Sequence, residues 1–389
     1  MYKRQEYFTD GLTEELIADL SKVRALRVIS RTSAMLLKGT TKDVPTLARE
    51  LNVRFVLEGS VRRLGSDLRI TAQLIEGPTD AHLWAEKYTG TMDDVFDLQE
   101  QLSRRIVDGL KVTLAPDEDR RLASRDIPDV EAYALYLRAR QEFQRMTESS
   151  FELAEELVER ALARTGPNAL LYATAATIAF GFHDMGFRPT EETLDRGDAF
   201  ADRALQLNPD LAEAHVAKGL IAWRRFDAPA AVRHLRRATN VDPGSATAAW
   251  AAGYVLAEIG YTGEAREQGD RAYALDPLWW PAQVGSCLGD LGEGLNDSAL
   301  AKMRRMHALS ADSPPADLWL GLLLVYAGRN NEAADPLGRL AAAGLGPLSQ
   351  HGAFLRAWAR GDEEAMRAFL ADPSAREVVA IDKELSWMT

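Results

Sequence analysis

Six histidines, one cysteine and a few clusters of glycine or aspartate are the residues of this chain whose types could do chemistry. A zinc site on a helix needs two histidines a turn apart or a glutamate-paired histidine, and His82, His183, His215, His234, His307 and His351 offer neither spacing. His215 and His234 fall on different helices, so structural or surface roles are expected for them. Gly285, Gly289, Gly292 and Gly294 have the density of a phosphate loop, but no strand precedes them and no Gly-Lys-Ser/Thr ending follows. They read as helix-packing positions. Gly59-Ser60 lies inside an expected strand with no glycine two residues later, which excludes a serine-nucleophile elbow. Asp93, Asp94 and Asp97 open a helix, where the positive end of its dipole favours acids. Cys287, the sole cysteine, allows no intrachain disulfide or thiolate cluster and reads as a buried structural thiol. No catalytic constellation emerges. The chain is read as a non-enzyme without metal or cofactor.

Bulk charge narrows the function further. Acidic side chains outnumber basic ones 58 to 46, for a net charge of −12, whereas phosphate-backbone affinity needs a dense cationic footprint. Direct nucleic-acid binding is therefore not expected. The arginine doublets at 62–63, 104–105, 236–237 and 304–305 sit among acids and read as solvated charges. The longest apolar runs, such as 318–327, are too short to span a bilayer. Residues 1–6 lack the apolar core of a signal peptide. Taken alone the chain is expected to be soluble and cytoplasmic.

What must position any binding residues is a repeat. Ala204-Leu205-Gln206-Leu207-Asn208-Pro209, Ala238-Thr239-Asn240-Val241-Asp242-Pro243 and Ala272-Tyr273-Ala274-Leu275-Asp276-Pro277 place their prolines 34 residues apart. Ala231, Ala265, Ala299 and Ala333 keep the same interval, as do Gly219, Gly253, Cys287 and Gly321. This period and pattern resemble the tetratricopeptide repeat, a helix–turn–helix unit. Helix pairs are expected at roughly 131–165, 168–208, 212–245, 246–279, 280–313 and 314–347, with a shortened pair near 348–373. The second pair carries about eight extra residues, assigned to its internal turn near 183–193. Asp290 stands where a bulky core residue is usual, which predicts a local kink in that unit. No single pair buries its apolar face, so six or seven stack into a right-handed superhelix.

The resemblance implies that the first helix of each pair lines a concave face. Carried onto this sequence, it gives Val216, Leu220, Trp223 and Arg224 from one unit and Trp250, Tyr254 and Glu258 from the next. Leu318, Leu322, Val325 and Tyr326 follow. Aromatic and arginine side chains are common anchors of interaction surfaces; the alternative is that these rings are core between repeats. The implied partner is a protein or peptide in the groove, with a homo-oligomer also possible.

Residues 1–115 do not keep the 34-residue interval. Helices are expected from Thr13, with Leu12, Leu16, Ile17 and Leu20 on one face, over 43–51 and over 92–114. Strands are expected at 26–31, 53–62, 68–75 and 82–88, the middle two joined by a loop at 63–67. The region reads as an α/β domain with a small sheet. A charged, proline-marked linker is expected at 116–130, the solenoid at 131–373 and a C-terminal cap at 374–389. The segments Tyr7-Phe8-Thr9-Asp10-Gly11-Leu12-Thr13-Glu14-Glu15-Leu16, Leu26-Arg27-Val28-Ile29-Ser30-Arg31-Thr32-Ser33, Ala48-Arg49-Glu50-Leu51-Asn52-Val53-Arg54-Phe55-Val56-Leu57-Glu58-Gly59-Ser60-Val61-Arg62, Leu68-Arg69-Ile70-Thr71-Ala72-Gln73-Leu74-Ile75 and His82-Leu83-Trp84-Ala85-Glu86 together resemble the TolB amino-terminal-like domain of bacterial regulatory proteins. In that family the domain follows a class III adenylate/guanylate cyclase or winged-helix effector module and precedes tetratricopeptide repeats. The resemblance implies a regulatory or scaffolding role with no catalytic residue to carry over. The alternatives are the C-terminal regulatory part of a cyclase or of a winged-helix regulator. An apolar strand that leads into the Tyr-Phe segment in the family has no counterpart in residues 1–6, so an effector module upstream of Met1 is expected.

Overall fold

A computed structural model describes residues 12–13, 16–64, 67–91, 94–123, 125–309 and 313–372. The Tyr7–Gly11 stretch of the resemblance and the expected cap at 374–389 lie outside the described residues.

Alternation of apolar and polar residues builds a three-stranded antiparallel sheet in the order β1 (Phe55–Leu64), β2 (Asp67–Glu76), β3 (Ala81–Thr91). Leu64 pairs with Asp67, so residues 65–66 alone connect β1 to β2, less than the five-residue loop expected. One face of β2 buries Leu68, Ile70, Ala72 and Leu74. The helix Val95–Gly109 adds Leu98, Leu102 and Ile106 to the same core. Each such side chain contributes ~1.5–3 kcal/mol on burial.

The strand expected at 26–31 is absent. Residues 26–30 have no regular structure and run into a short helix, Arg31–Leu36. The alternation there serves a different contact: Leu26 and Val28 pack against the core while the Ser30 N–H donates to the Leu275 carbonyl, 2.9 Å away. Within the charged stretch 116–130, Pro116–Ala123 is helical, and Leu122 and Ile127 are buried.

From Val130 the described chain is helical hairpins, seven among the described residues. They are Val130–Phe143 with Glu148–Thr165, Ala169–Asp184 with Glu191–Leu207, and Ala212–Arg224 with Ala228–Val241. Next come Ala246–Glu258 with Thr262–Leu275, and Val284–Gly292 with Asn296–Ala308. Pro314–Tyr326 with Asn330–Ala342 and Pro347–Ala359 with Glu363–Ala371 complete the stack. Every turn inside a hairpin holds one residue with φ between 53° and 91°: Met146, Gly186, Phe226, Gly260, Gly294, Gly328 and Gly361. Glycine adopts that conformation without a Cβ penalty. Met146 and Phe226 adopt it with side chains 48% and 75% exposed.

The second hairpin is not swollen only at its turn. Its helices have 16 and 17 residues, against 13 and 14 in the third, so the extra length is shared between helices and turn. The fifth hairpin, where a kink is predicted, has a short first helix, nine residues long, entered through a 3-10 turn at Trp280–Gln283. Its glycines permit backbone contact: a Cβ on Gly285 would lie 2.4 Å from the Gly253 carbonyl carbon. Asp290 in that helix is 1% exposed and ion-paired to Lys302 Nζ at 2.7 Å. Two arginines from the doublets tie hairpins together, Arg236 to Glu264 and Arg304 to Glu332. Exposed pairs of this kind contribute ~0–1 kcal/mol each.

One core runs from the sheet into the stack. Leu74, Trp84 and Leu102 share a cluster with Tyr133, Phe151 and Phe182 of the first two hairpins. Phe96 meets Tyr133 edge-on at 5.6 Å.

Candidate functional site

The sequence-predicted groove residues divide by burial. Val216, Leu220, Trp223, Leu322 and Val325 are all less than 9% exposed and belong to the hydrophobic cores of the stack. For these five the expectation of a solvent-facing position is corrected: each apolar side chain points between hairpins, where packing removes it from water. The Arg224 guanidinium stacks over Trp223 at 4.3 Å and its Nε donates to Asp184 at 2.7 Å. Trp250, Tyr254, Glu258 and Leu318 are half-buried, and Tyr326 is 41% exposed.

The accessible residues centre on a row of rings. Tyr254 meets Trp223 edge-on at 5.1 Å, stacks near Trp250 at 6.3 Å and meets Trp319 edge-on at 5.5 Å. Trp250 in turn meets Trp279 at 5.5 Å. Tyr254 and Trp319 come from first helices of the fourth and sixth hairpins, so the short fifth helix lets two non-neighbouring units converge on this side. Half-buried rings at such a site combine apolar faces with polar edges, a surface suited to extended or helical peptide segments.

Sequence reasoning missed Trp279 and Trp319. Trp279 held a detectable signal: it stands 34 residues after Ser245, which caps the fourth hairpin's first helix. Trp319 has no aromatic counterpart at that interval, and only the convergence of hairpins brings it to Tyr254.

His215 and His234, for which structural or surface roles are expected, meet each other. His215 Nδ1 and His234 Nδ1 are 3.0 Å apart, and His215 Nε2 lies 3.0 Å from the Pro209 carbonyl. A carbonyl only accepts, so His215 carries its proton on Nε2 and accepts at Nδ1 from His234. Burial lowers both side chains' pKa values below the ordinary histidine value. Among the described residues no group of three or more His, Cys, Asp or Glu side chains is placed to hold a metal ion.

Ser286, Asp270 and Lys302 form an arrangement resembling an activated nucleophile. The Ser286 hydroxyl donates to Asp270 at 2.6 Å and accepts from Lys302 at 2.5 Å. Ser286 is fully buried, with its backbone against Gly269, so no substrate atom can approach it. The cluster is structural. Burial pushes the Cys287 thiol up to about 12, and its Sγ sits 3.8 Å from Met306 Sδ in the core. Gly285, Gly289 and Gly292 fit closely against backbone or side chains of the fourth hairpin, as helix-packing positions should. Among the described residues no helix is long and apolar enough to cross a membrane.

No protein-family profile matches the chain. It is 39% identical over 226 residues to the protein named Putative adenylate cyclase 3 of Rhizobium meliloti (strain 1021), covering 57% of this chain and 38% of that protein. The chain thus spans less than two fifths of the length of that curated relative. Among solved structures, the human IFIT1 dimer with m7Gppp-AAAA resembles it with a TM-score of 0.52 at 14% identity, over 75% of this chain and 69% of that one. A tetratricopeptide repeat protein from Parabacteroides merdae ATCC 43184 gives 0.43 at 14% identity, over 63% and 98%. The first of these is a likeness of fold, in keeping with the tetratricopeptide-type hairpins described above.

Proposed function

We propose that this chain is a non-enzymatic regulatory and interaction protein whose aromatic row captures a peptide or protein segment. The observation that carries the reading is the half-exposed set Trp250, Tyr254, Trp279 and Trp319, gathered from the fourth and sixth hairpins and the connection that follows the fourth. Glu258, Leu318 and Tyr326 flank it on the same first helices, and the Arg224–Trp223 stack closes one end. The reading includes a TolB amino-terminal-like α/β domain over 1–115, a connection over 116–130, the solenoid over 131–373 and a cap over 374–389. It places the protein in the cytoplasm, with a homo-oligomer as a further possible partner.

The test is selection of the full chain against a displayed random-peptide library. Selected peptides are expected to lose at least ~30-fold in affinity against Trp250→Ala, the penalty of a binding hot spot. Peptides binding Trp250→Ala and Trp319→Ala as tightly as wild type would remove the row from the binding surface.

A second reading is favoured by the Rhizobium relative: the region serves as the regulatory part of an adenylate cyclase whose catalytic domain is elsewhere. Deleting the matching region from that relative is then expected to change the regulation of its cyclase activity and leave the turnover itself in place. This chain alone should form no cyclic nucleotide.

A further inference from the structure

The connection after the fourth hairpin breaks the habit of its counterparts. Asn208 and Asp242 close their own connections, accepting from the N–H groups of Asp210 at 3.1 Å and Gly244 at 2.9 Å. Asp276 occupies the same repeat position, but its carboxylate turns to the N-terminal segment. It accepts from the Ser33 N–H at 3.0 Å and from the hydroxyls of Ser30 and Ser33.

Ser30 is the N-cap residue of the helix Arg31–Leu36, yet its side chain caps no N–H of that helix. Asp276 does so instead, from 243 residues away. The exchange is reciprocal. The Ser30 N–H and the Arg27 guanidinium satisfy the carbonyls of Leu275 and Ala274, two of those left open at the end of Thr262–Leu275. The Leu278 N–H donates to Ser33 Oγ at 2.8 Å. Two helix ends from opposite parts of the chain thus cap one another.

Burial raises the Asp276 carboxyl above its ordinary value, and what chiefly opposes this is hydroxyls and a backbone N–H rather than a cation. The same four-residue connection also carries Trp279, whose ring closes on Trp250. A ligand covering that part of the Trp250 ring must displace Trp279, and Trp279 is one residue from Leu278 and three from Asp276.

We propose that residues 276–279 couple the aromatic row to the N-terminal segment 27–36, so that occupancy of the row and docking of the segment oppose each other. The proposal rests on the reading of the row as the binding surface. Linkage makes the opposition reciprocal: what loosens the segment must strengthen binding at the row.

The test uses the full chain and the Ser30→Ala/Ser33→Ala double variant, with retained amide protection in β1–β3 as the check on folding. The variant is expected to show more acrylamide quenching of tryptophan fluorescence, as Trp279 loosens. It should also bind a library-selected, Trp250-dependent peptide at least ~5-fold more tightly than wild type, the lower end of ordinary coupling strengths. In the opposite direction, Trp250→Phe, which trims the face Trp279 rests on, is expected to speed hydrogen exchange at the Ser30 and Ser33 amides. Equal peptide affinity in wild type and double variant would overturn the coupling and leave the groove reading standing. Exchange at Ser30 and Ser33 that responds to Trp250→Phe, with no selected peptide depending on Trp250, would sink the groove reading and keep the mechanical link. Unchanged exchange and unchanged quenching would overturn the coupling outright.

Discussion

Replacing Lys302 by methionine isolates the energetics of the irregular fifth hairpin. Asp290 is 1% exposed and takes its charge compensation from Lys302 at 2.7 Å, with the Ser298 hydroxyl donating at 2.6 Å and Arg266 standing 4.0 Å away. Methionine keeps most of the aliphatic stem and removes the ammonium. Leaving one member of a buried pair without its partner costs ~3–5 kcal/mol. Ser298 and Arg266 remain, so the lower end, about 3 kcal/mol, is expected. That corresponds to roughly a 100-fold rise in local opening, since each factor of ten is about 1.4 kcal/mol.

The readout is hydrogen exchange in Val284–Gly292 and Asn296–Ala308, because a stack of hairpins opens in local units as well as globally. The double variant Asp290→Leu/Lys302→Met removes both charges and nearly preserves volume. It should return to within ~1 kcal/mol of wild type, since apolar replacement of a buried ion pair is often neutral or stabilising. A double variant as open as Lys302→Met would refute the reasoning. The loss would then belong to packing around the lysine stem and to its contacts with Ser286 and Asp270, and not to an uncompensated Asp290 carboxylate.

Two further perturbations probe close contacts elsewhere. Gly285→Ala puts a methyl 2.4–2.8 Å from three backbone atoms of Gly253, none of which can rotate aside. It should cost at least ~2 kcal/mol and lower the thermal midpoint; an unchanged midpoint would show that the two hairpins slide apart without penalty. The His215–His234 pair should make stability fall on acidification. Both folded pKa values lie below the ordinary 6.5, so under that pH the unfolded chain binds more protons and stability is lost. Buried Asp19, Asp242 and Asp276, whose pKa values are raised, act with the opposite sign at lower pH. Comparing thermal midpoints of wild type and His234→Gln between pH 7.5 and 5.5 separates the effects. The variant should show a shallower decline, and parallel curves would mean the pair does not titrate there.

The hairpins could be read from the chain because their turns and crossings demand small residues at a fixed interval. Gly260, Gly294 and Gly328 mark three left-handed turns 34 residues apart, and Gly219 and Gly253 mark two crossings. Phe226 conceals the same turn in the third hairpin, since nothing in a phenylalanine announces a φ of 59°. The three strands were visible through alternation, yet residues 26–30 alternate equally well and form none. Their apolar side chains meet the core and their polar groups meet a helix end. Periodicity reports which residues are buried, and it does not report what buries them. The site was legible only in part for a related reason. Trp250 and Tyr254 follow from the repeat, whereas Trp319 joins them across the short first helix of the fifth hairpin, and Trp223 leaves the surface because Tyr254 and Arg224 cover it.

Among the contacts between the N-terminal region and the solenoid, two bear most on how one can respond to the other. The first is the shared core, where Phe96, Leu102 and Trp84 pack in one cluster with Tyr133 and Phe182 of hairpins one and two. Separating those surfaces would expose several large side chains at ~1.5–3 kcal/mol each, so this junction stays closed while the protein is folded. The second is the reciprocal cap at Asp276, at the end of the fourth hairpin, a handful of hydrogen bonds worth ~0.5–1.5 kcal/mol apiece where neutral and ~1.5–3 kcal/mol where they reach the carboxylate, with fewer large side chains behind them than the shared core. A body fixed rigidly to hairpins one and two and weakly to the end of hairpin four measures the pitch between them. Any ligand that changes the packing of hairpins three and four against each other must shift the weak contact before the strong one. The aromatic row begins on the fourth hairpin and includes Trp279 of the connection that carries Asp276, so the weaker attachment is where its occupancy would be felt.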